Sequence, residues 1–157
     1  MTIVVRRATA ANAELVSALN ADVQAVHAAA LPLRFKPPGP DTFPVKEALA
    51  LLEKPESLVF LAYAERQPAG YAYAEVVHRP ETSRTFAFEM VHIHHISVAS
   101  EFRRQGVGSA LLGAVRASGL ELGIALLTLD VWSFNEDARA FFERNGFCRY
   151  IERLWCR

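Results

Sequence analysis

Residues 92–112 read HIHHISVASEFRRQGVGSALL, and their reading decides the fold. Residues 90–98 carry Val91, Ile93, Ile96 and Val98 among three histidines, a strand composition. Arg103, Arg104, Gln105, Gly106, Val107 and Gly108 then turn the backbone into a helix that begins near Ser109. Glycines at alternate positions let backbone N–H groups converge with no side chain in the way. They converge at a helix N-terminus, whose partial positive charge favours an anion. Arg103 and Arg104 add formal charge, so the simplest ligand is a phosphate or pyrophosphate.

Working outward, 157 residues make one domain by size. A hydrophobic share of 52% argues for a buried core and against disorder. Lysine plus arginine equal aspartate plus glutamate at 17 each, which removes the charge excess that non-specific nucleic-acid binding requires. No apolar run is long enough for a membrane span. The N-terminal apolar run precedes its arginines, the reverse of a signal peptide, so cytoplasm is the expected compartment. Cys148 and Cys156 would lie roughly 26 Å apart on one extended strand, too far for a disulfide. They read as structural thiols, and no metal spacing is present.

Residues 3–7 read as a strand, and Thr9 as the N-cap of a helix running to about Ala30. Leu15, Val16, Leu19, Val23 and Val26 supply its apolar face, with a break near Asn20 left open. Residues 31–44 are too rich in proline for regular structure. Their Leu31, Leu33, Phe35 and Phe43 either plug the core or border a binding cleft. Residues 45–53 read as a short helix, and 57–65 and 70–77 as a hairpin. A strand over 86–98 is long enough to expect a bulge. Residues 106–119 form a helix, 125–131 a buried strand, 135–145 a helix ended by Gly146, and 147–155 a last strand. The fold class is α/β (α+β): a mixed, mainly antiparallel central sheet flanked by helices.

The frame of Val98, Arg103, Gly106 and Gly108 resembles the acetyl-CoA motif of the GNAT superfamily of N-acetyltransferases, (Arg/Gln)-x-x-Gly-x-(Gly/Ala). A second segment, Asn135-x-x-Ala138-x-x-Phe141-Phe142-x-x-x-Gly146-Phe147, resembles that family at the expected distance. The resemblance covers nearly the whole chain and implies a single acetyltransferase domain over 1–157. It implies acetyl-CoA as cosubstrate, held by Arg103, Arg104, Gln105, Gly106, Val107, Gly108 and Ser109. It also implies that Ile96 and Val98 bond the pantetheine arm through their backbone, with Asn135 and Phe142 nearby. The strands ending at Val98 and spanning 125–131 are expected to splay into a V. Relatives usually finish with two strands. The short stretch after Gly146 leaves one missing or supplied by a partner, which admits a homodimer.

Acetyl transfer to an amine needs a base. Alternation puts His92 and His94 on one strand face and His95 on the other, unless a bulge intervenes. Some relatives carry a glutamate six residues before the valine, at the position of His92. Others carry His-x-His-x-x-x-Val, as His92, His94 and Val98 do here. The reading is His92 as base with His94 relaying, and Glu75 and Glu89 as rivals. A metal held by the histidine pair is a poorer alternative without a neighbouring carboxylate or thiolate. Phe142 departs from the family's usual tyrosine and has no proton to give the leaving thiolate. That departure keeps alive an alternative, an acyl-CoA-binding module with little or no catalysis. The expected acceptor is a small-molecule amine or a peptide. Phe35, Phe43, Tyr71, Tyr73, Phe86 and Phe88 lean toward an apolar or aromatic one.

Overall fold

The computed structural model describes residues 1–156. Strand β1 (Ile3–Arg7) leads into α1 (Ala13–Leu19) and α2 (Ala21–Ala30). Helix α3 (Val45–Glu53) precedes β2 (Ser57–Ala64), β3 (Gln67–Arg79) and β4 (Phe88–Val98). Helix α4 (Val107–Glu121), β5 (Leu127–Leu129) and α5 (Glu136–Arg144) complete the order. The sheet runs β1-β2-β3-β4-β5. The first four strands pair antiparallel, and β5 joins β4 parallel.

Both sheet faces are covered, so β2 reads as a continuous apolar run whose alternate residues feed two cores. Leu58, Phe60 and Ala62 meet Val107, Leu111, Leu112 and Val115 of α4. Val59 and Leu61 meet Val16 of α1 and Ala48 of α3. The first helix is broken at Asn20, as the sequence left open. Asn20 is buried, and its Nδ2 donates to Tyr71 Oη at 2.8 Å. Ser97 Oγ donates to the Leu19 carbonyl at 2.6 Å, which ties the break to β4.

The expected bulge lies in β4. Tyr73 faces His95 and Ala74 faces Ile93, so His94 has no partner on β3. Core-facing residues therefore switch from Val91 and Ile93 to Ile96 and Val98. Strand β5 is shorter than residues 125–131. It pairs only with Val91, His92 and Ile93 and stops where the bulge bends its neighbour away.

No strand forms over 147–155. After Phe147, which packs against the core, its large apolar residues fall at Tyr150, Ile151, Leu154 and Trp155, which a strand would divide between both faces, and all four are exposed. Cys148 and Cys156 are both exposed, which corrects the expectation of a structural thiol at Cys148 and agrees with the place of Cys156 near the end of the chain. Among the described residues no helix is long and apolar enough to cross a membrane.

Candidate active site

Beyond Ile93 and Leu129 the strands β4 and β5 part, and a cleft of about 270 Å³ opens between them. Ile93, His94, His95 and Ile96 line one wall. Leu129 to Trp132, with Asn135, Ala138 and Phe142, line the other. Asn20, Val23, Gln24, His27 and Phe35 close the end. A more open groove of about 390 Å³ lies by His78, Phe88 and Glu89, on a stretch of sheet with none of the clustered histidines.

The bulge gathers all three β4 histidines. His92 and His94 rings lie 4.8 Å apart, and His94 stacks on Tyr73 at 4.8 Å. His95 also contacts Tyr73, at 5.5 Å, so the expected separation of His95 from its neighbours does not hold. His94 lines the cleft, whereas His92 sits beside it with Nδ1 2.8 Å from Thr128 Oγ1. The Thr128 hydroxyl donates to Met90 Sδ at 3.5 Å, so its oxygen accepts from His92 Nδ1–H. His92 Nε2 lies 4.0 Å from the exposed Asp130 carboxylate.

Glu75 backs His94, with its Oε2 3.4 Å from His94 Nε2. Lys54 Nζ at 2.8 Å and the Tyr73 hydroxyl at 2.8 Å also hold it. The Lys54 hydrogen bond keeps its carboxyl below the usual range. Burial and the facing Glu75 push the Tyr73 hydroxyl up to about 12. Burial, then the neighbouring His92, lowers His94. His95 is lowered to about 4, chiefly by burial. Its Nδ1 accepts from Tyr71 Oη at 2.8 Å, and burial raises that phenol. Glu89, the other rival base, lies away from the cleft and bonds His78.

The loop before α4 carries two left-handed residues, Arg104 at φ 58° and Gly106 at φ 90°. Helix α4 follows at Val107, between the two starts read from the sequence. Gly108 sits where a Cβ would come within 3.2 Å of the Phe141 ring. Arg103 is engaged within the fold: Nε donates to the Val98 carbonyl at 3.2 Å, and Nη2 lies 3.8 Å from Asp22. Gln105 Nε2 donates to the Glu101 carbonyl at 2.7 Å. Val107 is buried, and Ser109 is exposed at the start of α4. Asn135 caps α5, accepting from Ala138 N–H at 3.1 Å. Phe142 contacts the rings of Phe141 and Phe147.

Of the residues singled out by sequence, His94, Ile96, Asn135 and Phe142 meet at the cleft. Val98 and the 103–109 loop adjoin it through Gly108 and α5. Phe35 lines the cleft, Phe43 lies against His95, and Tyr71 and Tyr73 stand behind the histidines. Phe86 and Phe88 are exposed near the other groove, which corrects their placement by the cleft. The sequence reading missed Asp130 and Trp132 on the far wall. The signal was present in LDVWSF, where a strand ends in a carboxylate and two aromatics.

A mixed sheet that parts at β4 and β5, with a glycine loop feeding α4, is the architecture of an acetyltransferase. The chain belongs to the GNAT family: the model described as "Acetyltransferase (GNAT) family" matches residues 20–147. It is 29% identical over 65 residues to an uncharacterized N-acetyltransferase in the pepI 3' region of Lactobacillus delbrueckii subsp. lactis, spanning 41% of this chain but only 38% of that relative. A tetramutant of the BH1408 protein from Bacillus halodurans superposes with a TM-score of 0.92 at 22% identity, covering 98% of this chain and 99% of that one. A ribosomal-protein-alanine N-acetyltransferase from Brucella melitensis biovar Abortus 2308 superposes at 0.74 with 19% identity, covering 99% of both chains. The aminoglycoside N-acetyltransferase AAC(6')-Iy, bound to a CoA-linked acetylneamine bisubstrate analogue, superposes at 0.76 with 20% identity, covering 100% of this chain and 98% of that one.

Proposed function

We propose that the chain is an acetyl-CoA-dependent N-acetyltransferase, acting as one catalytic domain, in which a primary amine attacks the thioester directly within a ternary complex. The observation that carries this reading is the position of the bulged His94, on the wall of the cleft where β4 and β5 part.

The loop fits a pyrophosphate. A Cβ at Gly106 would touch only Ile3 Cδ1, at 3.6 Å, so nothing crowds its backbone. The left-handed Arg104 costs about 1 kcal/mol, strain that suits a functional loop. The N–H groups of Val107, Gly108 and Ser109 open a helix of 15 residues and lack partners one turn back. In this reading they hold the phosphates with Gln105 and Arg104, while Arg103 braces the end of β4. The backbones of Ile96 and Val98, with Asn135 and Phe142, hold the pantetheine arm. Acetyl-CoA supplies an acyl group activated as a thioester.

His94 takes the ammonium proton. Burial keeps it neutral at physiological pH, and Glu75 orients its ring. In this reading the proton leaves through His92 and Asp130 to solvent, with His94 first and His92 second; the lining of the cleft by His94 and not His92 supports this order over the reverse one read from the sequence. As the C–N bond forms, the C–S bond breaks and its electron pair departs on sulfur. A thiol pKa of about 8.5 makes an unprotonated thiolate a tolerable leaving group without a hydroxyl at Phe142. Amine-dependent CoA release tests the reading. His94→Gln should lower kcat/KM by about a hundredfold.

The missing hydroxyl at Phe142 favours the second reading, an acyl-CoA-binding module. Acetyl-CoA binding with no turnover across amines and peptides, and a large gain of rate in Phe142→Tyr, would support that reading instead.

A further inference from the structure

Four rings close a circuit at one end of the cleft. His27 meets Phe35 at 5.1 Å, Phe35 meets Trp132 at 5.5 Å, Trp132 stacks on Phe134 at 6.0 Å, and Phe134 returns to His27 at 5.9 Å. The rings come from α2, the 31–44 segment and the segment after β5. His27 is fixed by a 2.7 Å bond between its Nδ1 and the Val23 carbonyl. His27, Phe35 and Trp132 line the cleft, which gives it a ring-lined apolar surface at that end.

The carboxylates near this surface are few. Asp130 is the one carboxylate among the described residues lining the cleft. Glu75, behind His94, is occupied by Lys54 and Tyr73. The Arg34 guanidinium lies 4.8 Å over the Trp132 ring, so that ring face is taken by a cation and a formal charge stands beside it. A polycation would find one open carboxylate and a repelling arginine. A body with a single ammonium needs only the carboxylate and the base.

We propose that the acceptor is a primary amine carrying one positive charge on an apolar, ring-bearing body. The ammonium points toward His94 and Asp130, and the body lies against Phe35 and the part of Trp132 that lines the cleft, its ring faces being covered by Arg34 and Phe134. This rests on the acetyltransferase reading above and separates the chain from its aminoglycoside-modifying structural neighbours.

The test compares phenethylamine, neamine and spermine by CoA release at saturating acetyl-CoA. Binding of each is followed separately by quenching of Trp132 fluorescence in Trp155→Phe, which retains Trp132 as its single tryptophan. Phenethylamine is expected to exceed both polycations in kcat/KM by about a hundredfold. Phe35→Ala should raise its KM about tenfold and leave the KM for acetyl-CoA unchanged. Arg34→Glu should narrow the gap to spermine. Preference for neamine or spermine overturns the inference and leaves the acetyltransferase reading standing. Saturable phenethylamine binding without turnover supports the inference and overturns that reading. Absence of phenethylamine binding overturns the inference.

Discussion

At the scale of residues, the histidines differ by what holds them. Asn20 donates to the Tyr71 oxygen, and Tyr71 donates to His95 Nδ1, so His95 stays neutral with its proton on Nε2. Its pKa of about 4 in the fold lies below the unfolded 6.5. Between those values the unfolded chain binds more protons, so stability falls as pH drops from 6.5 toward 4. This group adds no slope above that window. The shift is worth on the order of 3 kcal/mol, and partial exposure of the ring trims it to about 2. Urea midpoints between pH 7 and 4 should show the loss. His95→Gln, which keeps an acceptor for Tyr71, should flatten it. His94 is also lowered, so the acid limb of kcat/KM should fall below pH 6.5 and change in His94→Gln. The strand of three histidines was legible in the sequence, but their shared face was not. One bulged residue exchanges inward and outward positions, and alternation alone cannot locate it.

At the scale of elements, the short β5 matters as much as the bulge. Together they end the sheet's last pairing at Ile93 and leave the cleft. Gly70 on β3 shows how close the backbones run there: a Cβ would lie 2.4 Å from the Ser97 carbonyl oxygen. Gly70→Ala should therefore cost roughly 2–4 kcal/mol in urea unfolding, more than its usual propensity effect. Asn135→Ala removes the α5 cap and should cost about 1 kcal/mol. A larger loss of acetyl-CoA affinity than of stability would add a binding role to the capping one. Helices and hairpin were legible because periodicity and turn residues coincide. The segment 147–155 was misread because aromatic and β-branched residues suggest a strand even when their spacing offers no single apolar face.

At the scale of the whole molecule, two cores grip one sheet and hold the cleft walls on different elements. Leu61, buried between β2 and the α1–α3 side, should cost about 3 kcal/mol when cut to alanine, read as a lower urea midpoint at constant slope. Overall charge balance showed no excess of basic residues from sequence alone, and two short motifs were enough to point to the family. The ring circuit at the cleft was not legible, because its members are separated by about a hundred residues and come together only on folding.

The most direct measurement is a calorimetric titration of acetyl-CoA into the protein, with ATP as control, followed by amine addition and assay of CoA release. The account predicts saturable binding near one acetyl-CoA per chain, no comparable binding of ATP, and CoA release that depends on the amine. A folded protein that binds no acetyl-CoA would contradict it, because the 103–109 loop and the parted strands would then serve another purpose.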